Sequence, residues 1–210
     1  MIRVPSIACL WMVLPLATVS CAASDPQASS PSPMAATQGA ASSDTAELLQ
    51  FTPDPSRIRM ERRGDLDGDG DEDVLLVLAP RPGADTRFDS RTLLVLVRGA
   101  DGKLAKAVDN PEAIPCERCG GMMGDPLQDI SIDKSGFTLR LEGGSRELWS
   151  QTFRFDYSRK DAMWMLVSIK QGGADRATGD VAGKRRSVED FGAIPLDRFS
   201  IGEFPADAMS

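Results

Sequence analysis

The stretch DLDGDGDED, Asp65–Asp73, runs directly into the apolar segment VLLVL, Val74–Leu78, and these two segments decide our prediction of the fold. Calcium takes six to eight oxygen ligands, and a loop with acidic side chains at alternate positions supplies them. Gly70 stands at position 6 of such a loop, where the chain turns sharply and a Cβ is costly. The loop predicts a calcium site. The side-chain ligands are expected at positions 1, 3, 5 and 9, which are Asp65, Asp67, Asp69 and Asp73, and position 7, Asp71, is expected to contribute its backbone carbonyl.

The continuation of the loop differs from that of an EF-hand. Position 12 holds Leu76 instead of a bidentate Glu, and the aliphatic run predicts a strand rather than an exit helix. The missing carboxylate predicts weak binding, with a Kd of about 10⁻⁴–10⁻³ M, unless Asp85 or Asp89 supplies the oxygen. The alternative is a solvated acidic turn without an ion. Against it, six acidic side chains within nine residues repel one another unless a cation or solvent screens them.

The loop and the strand after it resemble the DxDGDGxxD turns of dockerin-like and FG-GAP/VCBS-type calcium loops. A second apolar run, Leu93–Val97, and the turn GADGKL, Gly99–Leu104, extend the FG-GAP resemblance. That family builds propellers from several such blades, whereas this chain carries one copy. The resemblance therefore implies a calcium loop and not a propeller.

Apolar patterning predicts a mainly β domain over residues 45–210. Val74–Leu78 and Leu93–Val97 are continuous apolar runs, as expected for central strands covered on both faces. Later segments alternate apolar and polar residues between turn signals, as strands with one buried face do. We predict an antiparallel β-meander or sandwich-like single domain with few short helices. The alternating rows assigned to its core are Phe137, Leu139 and Leu141; Trp149, Phe153, Phe155 and Tyr157; and Met163, Met165, Val167 and Ile169.

Shorter segments complete the prediction of the fold. A helix is expected over Thr45–Gln50, and a helical turn over VEDF, directly after Ser187. Residues 174–187 are expected to form an exposed loop or edge in which the basic cluster Lys184–Arg186 is solvated. Pro195–Phe199 is expected to add a last strand.

The N-terminus predicts export to the bacterial cell envelope. Residues 1–20 have the charged start and short apolar centre of a signal peptide, and Thr18–Cys21 resembles a lipobox in which Thr18 replaces the usual Leu. Lipidation of Cys21 would attach the protein to the outer membrane, facing the periplasm. The alternative is ordinary cleavage, giving a secreted or soluble periplasmic protein. Residues 21–44, rich in Ala, Ser and Pro, predict a disordered tether.

Cys116 and Cys119 lie in the segment PCERCGGMMGDP and leave several interpretations open. In an oxidising compartment, a local disulfide between them is the simplest. A thioredoxin-like redox pair lacks the surrounding βαβ pattern, and a zinc site lacks further Cys or His ligands. Cu(I) ligation by the two cysteines with Met122 and Met123 is chemically reasonable.

The segment CGGMMGDP also carries a second resemblance. Together with a GGS turn, the strand TFRFDYS, a W-x-L strand and EDFG, it is similar to a recurring lipoprotein-type domain of bacterial envelope proteins, in which CGGxxGDP follows a DxDGDG loop. This resemblance covers most of the folded part and implies no particular activity.

Composition narrows the function classes. The formal net charge of −7 argues against nucleic acid as a partner. The chain has no His, which excludes Ser-His-Asp triads and HExxH metal sites. Our leading hypothesis is an envelope-anchored module with a structural calcium loop and an envelope protein or polysaccharide as partner. The alternatives are a thiol or copper protein acting through Cys116 and Cys119, and a hydrolase with a carboxylate pair.

Overall fold

Two antiparallel sheets make up most of the part of the chain that the computed structural model describes, residues 46–83, 91–133 and 135–206. The predicted signal peptide, Cys21, the tether, Asp85 and Asp89 lie outside these residues. The prediction of a mainly β, antiparallel fold with few short helices is confirmed.

Each sheet is a meander in which every strand pairs with the next one along the chain. The first sheet contains β1 (Ser56–Gly64), β2 (Asp73–Pro80), β3 (Arg91–Arg98) and β4 (Leu104–Ile114). The second contains β5 (Leu127–Asp133), β6 (Gly136–Gly144), β7 (Glu147–Ser158), β8 (Met163–Asp175) and β9 (Val181–Ser187). The helical segments are α1 (residues 46–49), α2 (Val188–Phe191) and two 3₁₀ turns, Leu196–Arg198 and Ile201–Glu203.

The main core joins the two sheets. Leu75 and Val77 of β2 belong to the same buried cluster as the predicted aromatic row of β7, in which Phe153 and Phe155 are fully buried. Phe137 of β6 stacks on Phe155 with ring centroids 5.0 Å apart. The alternating rows predicted for β6 and β7 therefore form core, and the arrangement is sandwich-like.

A second apolar cluster covers the opposite face of the first sheet. Val74 and Leu76 of β2 pack there with Leu48 of α1, and Phe51 lies against the same cluster. Every residue from Asp73 to Ala79 is buried as a result. The continuous apolar run thus has cover on both faces, as predicted.

The core row predicted for β8 is wrong over its first half. Trp164 and Leu166 are buried, whereas Met163 is exposed and Met165 half-buried. The cause is a β-bulge: Arg154 pairs with Ser168 and Phe155 with Leu166, so β8 contains one extra residue. A bulge reverses which residues face the core on either side of it.

Other boundaries differ from the prediction or were missed. β1, β4 and β5 were not predicted, and Pro195–Phe199 contains a 3₁₀ turn instead of a strand. Residues 181–187 form an edge strand, and α2 follows Ser187 as expected. Among the described helices, none has the length and apolar character needed to cross a membrane.

Candidate metal centre

The acidic loop connects β1 to β2, and Asp73 is the first residue of β2. Gly68 and Gly70 adopt positive φ angles of 81° and 96°, a backbone conformation that residues with a Cβ rarely take. The two glycines allow the loop to fold back on itself between two adjacent antiparallel strands.

The loop brings three of its predicted ligands together. One carboxylate oxygen from each of Asp65, Asp67 and Asp73 lies within 4.8 Å of the others. The fourth predicted side-chain ligand, Asp69, is exposed and lies outside this group, and its Oδ1 accepts the backbone N–H of Asp71 at 2.8 Å. The carboxylate cluster therefore contains three of the four predicted side-chain ligands.

Asp73 is the fixed point of the cluster. Its side chain is fully buried, and its two oxygens accept backbone N–H groups from Leu66 and from Arg98, both at 2.9 Å. Leu66 lies in the loop and Arg98 at the end of β3, so this carboxylate holds the loop against the neighbouring strand. Each oxygen has a second lone pair that remains available to a cation.

Asp65 and Asp67 are held by the backbone of the loop itself. Asp65 accepts the N–H groups of Gly68 at 2.6 Å and Gly70 at 3.2 Å. Asp67 accepts the N–H of Asp69 at 3.1 Å. These short-range bonds orient the two carboxylates before any ion binds.

The electrostatic environment disfavours the ionised forms of Asp73 and Asp67. Burial raises the pKa of Asp73 above its usual value; hydrogen bonds from Arg98 and Leu66 oppose this rise, and the charges of Asp67 and Asp69 add to it. Burial also raises the pKa of Asp67, and the negative charges of Asp69 and Asp65 contribute. A cation among these groups would offset both the repulsion and the loss of hydration.

Leu66 ties the loop to the second sheet. Its side chain is fully buried in the core between the sheets, and its carbonyl accepts the indole N–H of Trp164 at 2.8 Å. Arg159, in the turn between β7 and β8, donates to the carbonyl of Gly68. Sequence reasoning missed both contacts; the single apolar residue among the acidic ones, Leu66, was the available signal.

The donor set suits a hard cation. Three carboxylates contribute oxygen and no sulfur or nitrogen ligand, which is the chemistry that Ca²⁺ prefers. Position 12 contributes nothing, because Leu76 is buried in the apolar cluster on the far face of the first sheet. Calcium held here would need backbone carbonyls or water for its remaining ligands.

The cysteine segment, residues 115–126, connects the two sheets. Cys116 and Cys119 form a disulfide with their Cα atoms 5.1 Å apart, as the simplest interpretation predicts. Gly120 packs so tightly that a Cβ on it would lie 2.5 Å from the carbonyl oxygen of Gly124. Gly144, in the GGS turn, donates its N–H to the carbonyl of Gly120 at 2.9 Å. The glycines of CGGMMGDP and GGS thus permit close backbone packing.

A buried ion pair anchors the end of the same segment. Arg91, which is fully buried, makes a bidentate contact with Asp125 at 2.8 and 3.0 Å. Arg91 also donates to the carbonyl of Pro115 at 2.6 Å, and Arg59 of β1 reaches Asp125 at 3.1 Å. The acidic residue of the GDP sequence therefore has a structural partner, which sequence reasoning did not foresee.

Comparison with known proteins adds no relative: no family model, no curated protein and no solved structure matches this chain.

Proposed function

We propose that this protein is a calcium-stabilised β-sandwich that acts as a binding or structural module of the bacterial cell envelope. The observation that carries the proposal is that carboxylate oxygens of Asp65, Asp67 and Asp73 lie within 4.8 Å of one another. Leu66, within the same loop, is hydrogen-bonded to both sheets through its backbone N–H and carbonyl. Three carboxylates at this separation are unfavourable without a counter-charge.

Calcium would act on the stability of the whole sandwich. The ion would neutralise the repulsion around Asp73, and Asp73 holds both Leu66 and the end of β3. Binding to the folded state alone stabilises it by RT ln(1 + [Ca²⁺]/Kd). With 1 mM calcium and a Kd of about 10⁻⁴–10⁻³ M, this amounts to about 0.4–1.4 kcal/mol.

Placement in the envelope rests on the sequence. The signal-like N-terminus and Cys21 support attachment to the outer membrane through a lipid, and an extracytoplasmic site agrees with a weak calcium loop. The disulfide between Cys116 and Cys119 agrees with an oxidising compartment.

The alternative functions have less support. Ligation of Cu(I) requires free sulfurs, whereas both cysteines are joined in a disulfide. A redox pair would alternate between disulfide and thiols, but turns rather than a helix follow Cys119, so no helix N-terminus is present there to lower a thiol pKa. The hydrolase hypothesis requires a carboxylate pair in a cleft away from the acidic loop. Asp67 and Asp197 do line a cleft of about 250 Å³, but Asp67 belongs to the loop itself.

Thermal unfolding tests the proposal. The thermal midpoint should be higher in 1 mM Ca²⁺ than in excess chelator by ~1–6 °C, which corresponds to about 0.4–1.4 kcal/mol for a domain of this size. Mg²⁺ at the same concentration is the control and should have a much smaller effect, because it prefers octahedral geometry and retains its waters. An unchanged midpoint in Ca²⁺ would reduce the loop to an acidic turn.

A further inference from the structure

The outer edge of β9 is open within the described part of the chain. β9 ends the second sheet and pairs along one side with β8. Val181, its first residue, is 80% exposed, and Gly183 and Arg185 are exposed as well. An exposed strand edge presents backbone N–H and C=O groups to which another extended chain can add.

Two basic side chains face each other beside this edge. Lys170 of β8 lies directly opposite Arg185 of β9, and both are exposed. Within the residues the structure describes, neither side chain has a hydrogen bond or an ion-pair partner. Like charges directly opposite one another destabilise a sheet, and an anionic group placed between them would remove that cost.

An apolar groove opens on the same part of the sheet. Its volume is about 310 Å³, and strands β6 to β9 contribute to its lining, which includes Leu148, Ala174 and Val181. Leu148 pairs with Ala174, and Ala174 with Val181, so these three residues form one row across the sheet. Val181 and Arg185 are four residues apart and therefore share a face, ~13 Å from each other.

We propose that the open edge of β9 binds an extended, acidic segment of a partner protein as an additional strand. The backbone of the segment would pair with β9. One apolar side chain would lie against Val181 in the groove, and an acidic side chain four residues away would sit by Lys170 and Arg185. This proposal goes beyond the calcium site and does not depend on it, because the acidic loop belongs to the first sheet.

The charges and the unpaired backbone groups of β9 favour an acidic strand over a lipid headgroup or a second copy of the chain. A lipid headgroup would neutralise the basic pair but leave the N–H and C=O groups of β9 unpaired. A second copy of the chain carries the same basic residues on its own β9, and like charges brought together across a new strand pair oppose association. An acidic strand satisfies both the edge and the charges.

Fluorescence anisotropy with a labelled peptide tests the proposal. The probe is a short threonine-rich peptide with one valine and, four residues along, one glutamate; the comparison peptide has lysine in place of the glutamate. The full soluble protein in calcium buffer should bind the first peptide with a Kd below about 1 mM and the second at least tenfold more weakly. Hydrogen exchange should show new protection of amides in β9 when the first peptide binds.

The matched variants are Lys170→Glu/Arg185→Glu and, as control, Lys160→Glu, which reverses an exposed charge in the turn between β7 and β8. The double variant should lose at least tenfold in affinity, and the control variant should bind as the natural protein does. No binding, equal losses in both variants, or binding without protection of β9 would overturn the proposal. Dimerisation of the free protein through β9 would also overturn it and assign the edge to self-association.

Discussion

Trp164 of β8 donates its indole N–H to the carbonyl of Leu66 at 2.8 Å, and this buried bond joins the acidic loop to the second sheet. The N–H of the same Leu66 donates to Asp73, at the start of β2. One residue of the loop therefore has both backbone groups bonded to different sheets. For this reason, we expect a substitution that displaces the loop to affect the packing of both sheets.

Replacing Trp164 by Phe should destabilise the protein by about 1–3 kcal/mol, because the buried carbonyl of Leu66 loses its donor. Urea unfolding measures the loss, which should be present in calcium and in chelator. Trp149→Phe is the control, since its indole N–H makes no hydrogen bond within the described residues and its ring is only half-buried. Equal losses in the two variants would mean that ring volume, not the hydrogen bond, determines the effect.

Asp73→Asn should lower stability with or without calcium. Both oxygens of Asp73 accept buried N–H groups, and the amide NH₂ of Asn cannot accept one of them, which costs about 1–3 kcal/mol. Asp67→Asn should behave differently, because Asp67 accepts one N–H in a partly exposed turn and otherwise adds repulsion. The thermal midpoint of the Asp67→Asn variant should be lower than that of the natural protein in calcium, and equal to it or higher in chelator. Parallel melting curves of both variants in the two buffers distinguish a structural carboxylate from an ion ligand.

Asp129 provides a pH-dependent contact between the sheets. Arg62 of β1 donates to Asp129 of β5 at 2.8 Å, and this hydrogen bond holds the pKa of Asp129 below its usual value of 3.8. A lowered pKa contributes stability above the unfolded value, and the contribution disappears as pH falls through the folded value. Asp129→Asn should therefore be slightly less stable than the natural protein at neutral pH and equal to it well below pH 3.8. A difference that grows on acidification would contradict this assignment.

Arg91→Lys should cost about 1–3 kcal/mol, since Lys cannot make the bidentate contact with Asp125 and also reach the carbonyl of Pro115. Arg140→Lys is the matched control at an exposed position of β6 and should stay within about 0.5 kcal/mol. Chemical unfolding of the two variants measures the difference. A loss no larger than that of the control would argue that the ion pair does not hold the linker.

Sequence patterns predicted the elements whose burial repeats regularly. β2 and β3 are continuous apolar runs, and apolar and polar residues alternate along β6 and β7. The sequence alone therefore predicted which residues of these strands are buried. β8 also alternates, but its bulge depends on pairing with β7 and leaves no local signal. The missed strand β4 contains Pro111, which an edge strand tolerates because one side of its backbone needs no partner.

The sequence predicted which residues make up the candidate site, but not the tertiary contacts that hold them in place. The spacing of acidic residues identified the loop, and three of its carboxylates do converge. The separate role of Asp73 depends on Arg98, twenty-five residues along the chain, and the anchoring of Leu66 depends on Trp164 in the other sheet. Contacts this distant in sequence come from the tertiary fold, which local spacing does not encode.

Direct calcium binding is the measurement that tests the central claim. Isothermal titration calorimetry of the purified protein, first stripped with chelator, should give one calcium ion per chain with a Kd of about 10⁻⁴–10⁻³ M. The double variant Asp65→Asn/Asp67→Asn should lose this binding while its circular dichroism stays that of the folded protein. Absence of calcium binding by the natural protein, or unchanged binding by the folded double variant, would contradict the assignment of the acidic loop as a calcium site.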